Sequence, residues 1–330
     1  MRCLALVQAW QRLGGAAVFL SRCESFALQE RICATGSDFI PLPPSDSDCA
    51  GFETILSLLA KRQTFFVVLD GYHFGPEQQQ ALRGAGHRLL VIDDIAHLSC
   101  YHADILLNQN LGSIRLSYQC APETLLLLGP NYALLRPEFV AARRRVRTVP
   151  ELARRILVTL GGSDPENVTV TVIDALRRFG AAGLEVRIVL GPANRHLNTV
   201  REAIASLPMP VELLTHVSDM AALMTWADLA ITAGGSTCWE LACLGLSAVT
   251  IVLAENQRCV AEELSVAGIA VNAGSHRDLS GEHLAAKLEG VLYSSFRRLR
   301  MSQRGRELVD GRGADRVVSA LLHRSCVRAA

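Results

Sequence analysis

Two Gly-Gly-Ser turns are the residues of this chain best suited to chemistry, because each falls between an apolar run and the start of a predicted helix. Glycine lets the backbone approach an anion closely, and the free N–H groups at a helix start favour negative charge. Both turns are therefore predicted to bind the phosphates of a ligand. The residues concerned are Gly161, Gly162, Ser163 and Asp164 in the first turn, and Gly234, Gly235 and Ser236 in the second.

Three further residues extend this candidate site. Glu240 lies one turn into the helix after the second Gly-Gly-Ser, where a carboxylate can accept hydrogen bonds from both ribose hydroxyls of a nucleotide. Asn256 and Gln257 follow the next apolar run and are predicted to meet a sugar or its phosphates, with a helix cap as the alternative. An ordinary helix start remains the alternative for the first turn, with Asp164 as N-cap and Pro165 at the first helical position.

A second group of polar residues lies in the first half of the chain. Asp70 ends an apolar run and is followed by Tyr72 and His73, and Asn110 follows a later run. Tyr72 and His73 are predicted to transfer a proton or to recognise a sugar, and Asn110 is predicted to bind the substrate. A purely structural role remains the alternative for His73.

Alternating strands and helices must position these residues. The runs at 65–69 and 156–160 are continuous and apolar, as in parallel strands covered on both faces. Helices are predicted between such runs, and in open α/β sheets ligands bind at the carboxyl ends of the strands. The sequence therefore predicts an α/β protein with two doubly wound, Rossmann-like domains, residues 1–148 and 149–330, which face one another across an interdomain cleft.

Composition argues against several classes of function. The formal net charge is +1 at pH 7, so no global field favours nucleic acid or a membrane. The 10 cysteines form no C-x-x-C pair and no Cys/His cluster at zinc spacing, so we expect no metal, no cofactor and reduced thiols in a cytoplasmic protein. No stretch approaches the roughly 20 unbroken apolar residues of a membrane span. A monomer is expected.

Six motifs taken together resemble one family. They are Asp70-Gly-Tyr-His, Val91-Ile-Asp-Asp-Ile-Ala-His, Ala103-Asp-Ile-Leu-Leu-Asn-Gln-Asn, Gly129-Pro-Asn-Tyr-Ala-Leu-Leu-Arg, Thr159-Leu-Gly-Gly-Ser-Asp and Ala233-Gly-Gly-Ser-Thr. They are similar to motifs of the UDP-2,4-diacetamido-2,4,6-trideoxy-β-L-altropyranose hydrolase family of pseudaminic acid biosynthesis. That family is related to the glycosyltransferase that makes lipid II and shares its GT-B fold. The resemblance extends over essentially the whole chain.

The resemblance implies hydrolysis of a UDP-linked sugar to UDP and the free sugar, with inversion at the anomeric carbon. It implies a nucleotide on the second domain, consistent with Glu240 at the ribose, and it implies Tyr72 and Asn256 near the sugar. Fixed backbone N–H groups in the two turns would stabilise charge on the leaving diphosphate. A UDP-sugar glycosyltransferase of the same fold and a catalytically impaired UDP-sugar-binding homologue are the alternatives.

One part of the family pattern has no match in this sequence. The pattern opens with a strand and a glycine-rich loop that ends in Gly-His, followed directly by residues that match those from Arg2 to Leu6. The loop histidine is the base that the resemblance implies, and without a base we expect a hydrolysis rate lower by about 10²–10⁴. We also expect the first domain to lack a central strand, and Met1 to be an internal methionine of a longer reading frame.

Overall fold

The computed structural model describes residues 1–23, 25–42, 48–62, 64–180 and 183–326. The chain forms two compact units. Unit 1 comprises Met1–Arg136 and Arg312–Ala330, and unit 2 comprises Pro137–Gly311. Unit 2 is therefore continuous in sequence and interrupts unit 1.

Short parallel strands and helices alternate through the first part of unit 1. In chain order they are α1 (Arg2–Gln11), β1 (Val18–Ser21), α2 (Phe26–Cys33), β2 (Asp38–Pro41), α3 (Asp48–Lys61), β3 (Phe66–Asp70), α4 (Pro76–Gly84), β4 (Arg88–Ile92), β5 (Ile105–Asn108) and β6 (Leu125–Leu128). Single turns of 3-10 helix follow β5 at Leu111–Arg115 and β6 at Pro130–Tyr132. The alternation is that of βαβ units, in which a helix carries the chain back between parallel strands.

Unit 2 repeats this alternation, and one final helix then belongs to unit 1. The elements of unit 2 are α5 (Pro137–Arg143), β7 (Arg155–Thr159), α6 (Val168–Arg177), β8 (Glu185–Val189), α7 (Leu197–Ile204), β9 (Val211–Leu214), α8 (Met220–Trp226), β10 (Leu229–Ala233), α9 (Thr237–Leu244), β11 (Ala248–Val252), α10 (Arg258–Val266), β12 (Ala270–Ser275), α11 (Gly281–Leu292) and α12 (Ser295–Leu308). The final helix is α13 (Gly313–Cys326).

The sheet of unit 2 reverses its strand order at one point. Its six parallel strands lie in the order β12-β11-β10-β7-β8-β9. From β7 the chain builds outward through β8 and β9, and it then returns to place β10 on the other side of β7. The boundary between β7 and β10 is therefore the topological switch point, where open α/β sheets bind their ligands. All residues of β10 and β11 are buried, as their apolar sequences predict.

Unit 1 contains two separate parallel sheets. One is the pair β1-β2 and the other has the order β3-β4-β5-β6. Within the described part of the chain, β1 pairs only with β2, and β3 pairs only with β4. Helix α1 packs beside the edge of the larger sheet, where the Trp10 and Phe66 rings meet edge to face with centroids 5.6 Å apart.

The unit boundaries differ from the boundary expected between residues 148 and 149. The chain passes between units after Arg136 and again after Gly311. The second crossing arises because α13 buries Val317 and Val318 in the same apolar cluster as Leu6 of α1. A helix that contributes to one core belongs to that unit, whatever its distance along the chain.

Two partly buried arginines explain why the first crossing precedes residue 148. Arg143 donates from Nη1 to the carbonyl oxygen of Cys243 at 2.7 Å, and Arg147 donates from Nη1 to the carbonyl oxygen of Ala227 at 2.6 Å. Both acceptors lie at the ends of helices of unit 2, where carbonyl groups lack helical partners. Burial lowers the pKa of Arg147 to about 10, which still leaves it charged at neutral pH. The basic segment thus fastens the chain to unit 2.

Candidate functional site

Three of the predicted groups follow three adjacent strands of unit 2. The two Gly-Gly-Ser turns follow β7 and β10, and Asn256 and Gln257 follow β11. Since β11, β10 and β7 are neighbours and parallel, their carboxyl ends lie at one edge of the sheet. The fold therefore brings these groups together and places the two glycine turns on either side of the topological switch point.

The glycines of the first turn are exposed, whereas the Asp164 carboxylate is occupied by hydrogen bonds to the start of the next helix. Gly161 has φ 88°, a backbone conformation that glycine adopts without strain. A methyl group added to Gly162 would meet no described atom within 4 Å beyond its chain neighbours. The backbone of this turn is thus accessible to a ligand.

Asp164 is 3% exposed and serves as the cap of α6. Its Oδ1 accepts from the N–H of Val168 at 2.9 Å, and its Oδ2 accepts from the N–H and hydroxyl of Thr169 at 3.0 and 2.6 Å. Both carboxylate oxygens of Asp164 thus bond the start of α6, as the capping alternative expected, but the N-cap residue is Asn167. The predicted helix start at Pro165 is wrong: α6 begins at Val168, after Asn167 in a left-handed conformation with φ 52°.

The loop after β8 supports the first turn, and the sequence interpretation missed it. Ala193 donates its N–H to the carbonyl oxygen of Gly162 at 3.0 Å. A methyl group at Gly191 would lie 2.3 Å from that same oxygen, so only glycine fits there. His196 holds the other side of the turn through its Nε2, 3.0 Å from the carbonyl oxygen of Pro165. The Gly-Pro dipeptide directly after an apolar run was the signal for this loop.

The second turn presents the start of α9. Ser236 is its N-cap residue, and the Ser236 hydroxyl makes no capping bond. Gly234 is packed, since a methyl group there would lie 3.0 Å from the carbonyl oxygen of Gln257. A methyl group at Gly235 would meet no described atom within 4 Å beyond its chain neighbours. Helix N–H groups and open space therefore coincide at Gly235, the arrangement that binds anions.

The remaining predicted residues of unit 2 differ in their surroundings. Glu240 lies in the first turn of α9 and is partly buried, and Asn256 is exposed. Gln257 closes its own loop, because its Oε1 accepts from the N–H of Leu253 at 3.0 Å. Its side-chain oxygen is therefore a structural acceptor in this conformation.

Tyr72 and Asn110 meet at an acidic pair in unit 1. The Tyr72 hydroxyl donates to Asp94 Oδ2 at 3.1 Å, and Asn110 Nδ2 donates to Asp94 Oδ1 at 3.1 Å. Arg2 binds Asp94 through Nη1 at 2.8 Å and Asp70 through Nη2 at 2.7 Å. Burial alone would raise the pKa of Asp70, but the hydrogen bonds and charge of Arg2 outweigh it and hold that pKa below its usual value.

Asp93 belongs to one of the motifs found in the sequence, but the network of hydrogen bonds centred on it was not predicted. Asp93 is 1% exposed and accepts hydrogen bonds on both carboxylate oxygens. Its donors are Ile95 N, Ala96 N, His97 Nδ1, Tyr101 Oη and Tyr118 Oη, at 3.0, 2.6, 2.9, 3.0 and 3.1 Å. Burial raises the pKa values of both phenols, which keeps their hydroxyl groups protonated as donors. The network fixes the loop after β4.

His73 lies apart from these hydrogen bonds. Its ring stacks at a tilt on Phe74, with centroids 4.0 Å apart. Together with Ser21 and Asp70 it lines a cavity of about 230 Å³ that also borders the ends of β1 and β3. The two residues predicted to be catalytic therefore have different environments, although they are adjacent in sequence.

Comparison with known proteins places this geometry in a family. Residues 155–311 match the family model described as the glycosyltransferase family 28 C-terminal domain. The chain is 31% identical over 235 residues to the spore coat polysaccharide biosynthesis protein SpsG of Bacillus subtilis (strain 168), and the match covers 71% of this chain and 69% of that protein. The chain belongs to the SpsG family.

Another relative of this SpsG family member is a transferase. An N-acetylglucosamine transferase of Xylella fastidiosa (strain Temecula1 / ATCC 700964), which uses UDP-N-acetylglucosamine and a pyrophosphoryl-undecaprenol acceptor according to its name, is 31% identical over 177 residues. That match covers 51% of this chain and 48% of the transferase, so the chain spans about half the length of this relative. These relatives support a nucleotide-sugar, glycosyltransferase-like function.

Solved structures establish the fold class. A Staphylococcus aureus MnaA–UDP co-structure superposes with a TM-score of 0.70 at 11% identity, over 100% of this chain and 94% of that chain. Glycosyltransferase structures superpose over nearly the whole chain as well. The expected GT-B, α/β architecture is confirmed. No described helix combines the length and the apolar character needed to cross a bilayer.

Proposed function

We propose that this SpsG family member is a UDP-sugar-dependent glycosyltransferase. In this reaction an acceptor oxygen attacks the anomeric carbon of the sugar, its proton passes to a base, and the diphosphate leaves with the electrons of the broken bond. The start of α9 at Gly235 and Ser236, which lies beside the switch point and has open space at Gly235, carries this proposal. A diphosphate is the anion that this position suits, because the helix N–H groups and the dipole both favour negative charge.

The geometry of the two glycine turns supports a role in leaving-group stabilisation. As the glycosyl bond breaks, negative charge grows on the diphosphate oxygens. Backbone N–H groups near Gly162 and Gly235 are held by strand ends and need no reorganisation when that charge develops. The UDP in the MnaA co-structure and the UDP-sugar in the transferase name favour uridine diphosphate as the leaving group. Glu240, in the first turn of α9, is proposed to bind the ribose.

The polar cluster of unit 1 is the proposed contact with the sugar. Tyr72 and Asn110 share the Asp94 carboxylate, which gives this cluster donors and acceptors suited to hydroxyl and acetamido groups. We assign Tyr72 to proton transfer or sugar orientation, and Asn110 to binding. Asn256 is proposed to reach the sugar from the loop after β11.

Hydrolysis is the second candidate reaction, with water in place of the acceptor. Motifs around Tyr72, Asp93 and Asn108 favour it, because the polar strand ends that they form in unit 1 resemble those of the altropyranose-nucleotide hydrolase family. In this reaction water attacks the anomeric carbon, its proton passes to a base, and UDP leaves with the bonding electrons.

The proposed phosphate site is tested by adding methyl groups where the fold has room for them. Gly235→Ala and Gly162→Ala should fold normally, since neither methyl group meets a described neighbour within 4 Å. Each should weaken UDP binding, measured by titration calorimetry, at least 10-fold, because the methyl group occupies the path of the phosphate. Gly84→Ala in unit 1, whose methyl group is equally unobstructed, is the control and should bind UDP like the parent chain. Unchanged affinity in both turn variants would rule out this phosphate site.

The reaction itself is distinguished by its products. UDP release is measured from UDP-N-acetylglucosamine and from the UDP-linked 2,4-diacetamido-trideoxy altrose, with and without a polyprenyl phosphate or sugar acceptor. Release that requires an acceptor supports transfer, and free sugar formed without an acceptor supports hydrolysis. Tight UDP binding with neither product identifies a binding protein and contradicts the enzymatic proposal.

A further inference from the structure

His97 connects the Asp93 network to the turn that carries Tyr72. Its Nδ1 donates to Asp93 Oδ1 at 2.9 Å, and its Nε2 lies 3.2 Å from the carbonyl oxygen of Tyr72, to which it donates when both ring nitrogens carry a proton. The two rings also meet edge to face, with centroids 5.3 Å apart and planes at 88°. One imidazole thus contacts both the backbone and the ring of Tyr72.

Asp93, which binds the His97 ring, is itself held in place by several hydrogen bonds. Asp93 is buried at the end of β4 and holds two backbone amides in addition to the His97 ring. A carboxylate that binds one imidazole nitrogen fixes the orientation of the ring and thereby the direction of the other nitrogen. The His97 side chain is 24% exposed, so solvent reaches it but does not surround it.

Tyr72 is 45% exposed and lies in a short turn between β3 and α4. Its hydroxyl donates to Asp94 Oδ2. The contacts with His97 hold the other end of the same residue. Sites that do chemistry need such restraint, since displacements of about 1 Å cost large factors in rate.

We propose that His97 is a positioning residue, which holds Tyr72 in the orientation that acts on the sugar. This inference rests on the proposed catalytic role of Tyr72. His97 itself touches no reacting atom in this arrangement: it acts by transmitting the fixed position of Asp93 to the turn after β3.

A double-mutant cycle tests the inference in the full chain. His97→Ala should lower kcat for UDP release about 10- to 100-fold and change KM less than threefold. Combined with Tyr72→Phe, it should cause little further loss, because a residue that acts through Tyr72 has no second route to the reaction. Losses that multiply in the double variant, or a change confined to KM, would overturn the proposal.

Conservative substitutions separate positioning from bulk structure. In His97→Gln the amide nitrogen can reach the place of Nε2 and donate to the Tyr72 carbonyl, so part of kcat should return. In His97→Asn the shorter amide reaches only toward Asp93, so kcat should stay low. Equal activity of the two variants contradicts the proposal. His102→Ala is the matched control, because that ring bonds Gln80 rather than the Tyr72 turn, and kcat should not change.

A readout without turnover keeps this inference separate from the proposed function. Hydrogen exchange of the peptide covering residues 71–75 should become several-fold faster in His97→Ala and stay unchanged in His102→Ala. If exchange is faster in His97→Ala and the parent chain releases no UDP, the contact between His97 and the Tyr72 turn is supported and the proposed function is contradicted. Unchanged exchange in His97→Ala overturns the positioning contact, whether or not the parent chain is active.

Discussion

One residue, Arg2, orients several polar side chains of unit 1. Its guanidinium lies between Asp70 and Asp94, and the three side chains are only 18, 27 and 16% exposed. Two carboxylates at neighbouring strand ends repel one another unless a cation is held between them. The orientation of Asp94, and with it that of Tyr72 and Asn110, therefore depends on a residue of α1.

Replacing Arg2 with methionine should lower the free energy of unfolding by about 3–5 kcal/mol, because it leaves two largely buried carboxylates without their cation. Arg12→Met is the control on the same helix: the Arg12–Asp315 pair is 49 and 57% exposed, and such pairs contribute about 0–1 kcal/mol. Urea unfolding of both variants at pH 7 measures the difference. If the two variants lose equal stability, the Arg2 cluster is not a significant buried ion pair.

At the residue scale, the sequence indicated which polar residues follow the strands but not which hydrogen bonds their side chains make. The open turns at Gly235 and Gly162 were predictable, since Gly-Gly-Ser between an apolar run and a helix favours close approach to the backbone, and phosphate binding there stays a prediction. The bonds of Asp164 were foreseen only as an alternative, and those of Gln257 and Asp93 not at all. Such bonds depend on which loops meet after folding, and no local spacing encodes that.

At the scale of elements, apolar runs were a good guide where both faces of a strand are buried. β10 and β11 are buried at every position, and their bounds nearly match the apolar runs. β12 escaped prediction because only its first two residues are buried and its register with β11 shifts at Thr250/Val252. β5 has four residues and no alternation, too little for a periodic pattern.

Two buried cysteines of helix α9 make the stability of the folded chain depend on pH. Burial raises the pKa of Cys238 from 9.0 to about 12 and that of Cys243 to about 11. Above pH 9 the unfolded chain releases these protons while the folded chain retains them. Their contribution to stability is therefore complete below pH 9 and is lost as the pH rises toward 11–12.

Between pH 9 and pH 10.5 the parent chain should lose up to about 1.4 kcal/mol per pH unit for each of these thiols. The Cys238→Ala/Cys243→Ala variant should show a shallower slope over the same range, whatever its stability at pH 7. Urea unfolding at several pH values gives both slopes. The exposed Cys259, changed to alanine, is the control and should leave the slope unchanged. Identical slopes in the parent chain and both variants would contradict the raised pKa values of Cys238 and Cys243.

At the scale of the whole molecule, the two units depend on the chain in different ways. Unit 2 is one continuous segment, Pro137–Gly311, with its own buried core. Unit 1 combines the first 136 residues with α13, which contributes Val317, Val318 and Leu321 to its core. A single boundary between two consecutive domains, as expected from the sequence, could not describe this arrangement, because the return of α13 is a long-range contact.

Ending the chain after Gly311 should therefore destabilise unit 1 selectively. Three large apolar side chains of α13 leave a core, at about 1.5–3 kcal/mol each, or about 5–9 kcal/mol. That is comparable to the whole stability of a typical domain, about 5–15 kcal/mol. Calorimetry should show one transition lost or strongly lowered, while that of unit 2 and the affinity for UDP remain. A chain that ends at Cys326 keeps α13 and serves as control. Two unchanged transitions would contradict the role of α13.

The return of α13 also orders events on the ribosome. Every residue of unit 2 has been synthesised before α13 is made, so unit 2 can complete its core while the chain is still growing. Unit 1 starts first but finishes last, since Leu6 and its neighbours must wait for Val317 and Val318 to leave the exit tunnel. During that interval the apolar surface of unit 1 stays uncovered, and it is the surface on which nascent-chain chaperones would be expected to act.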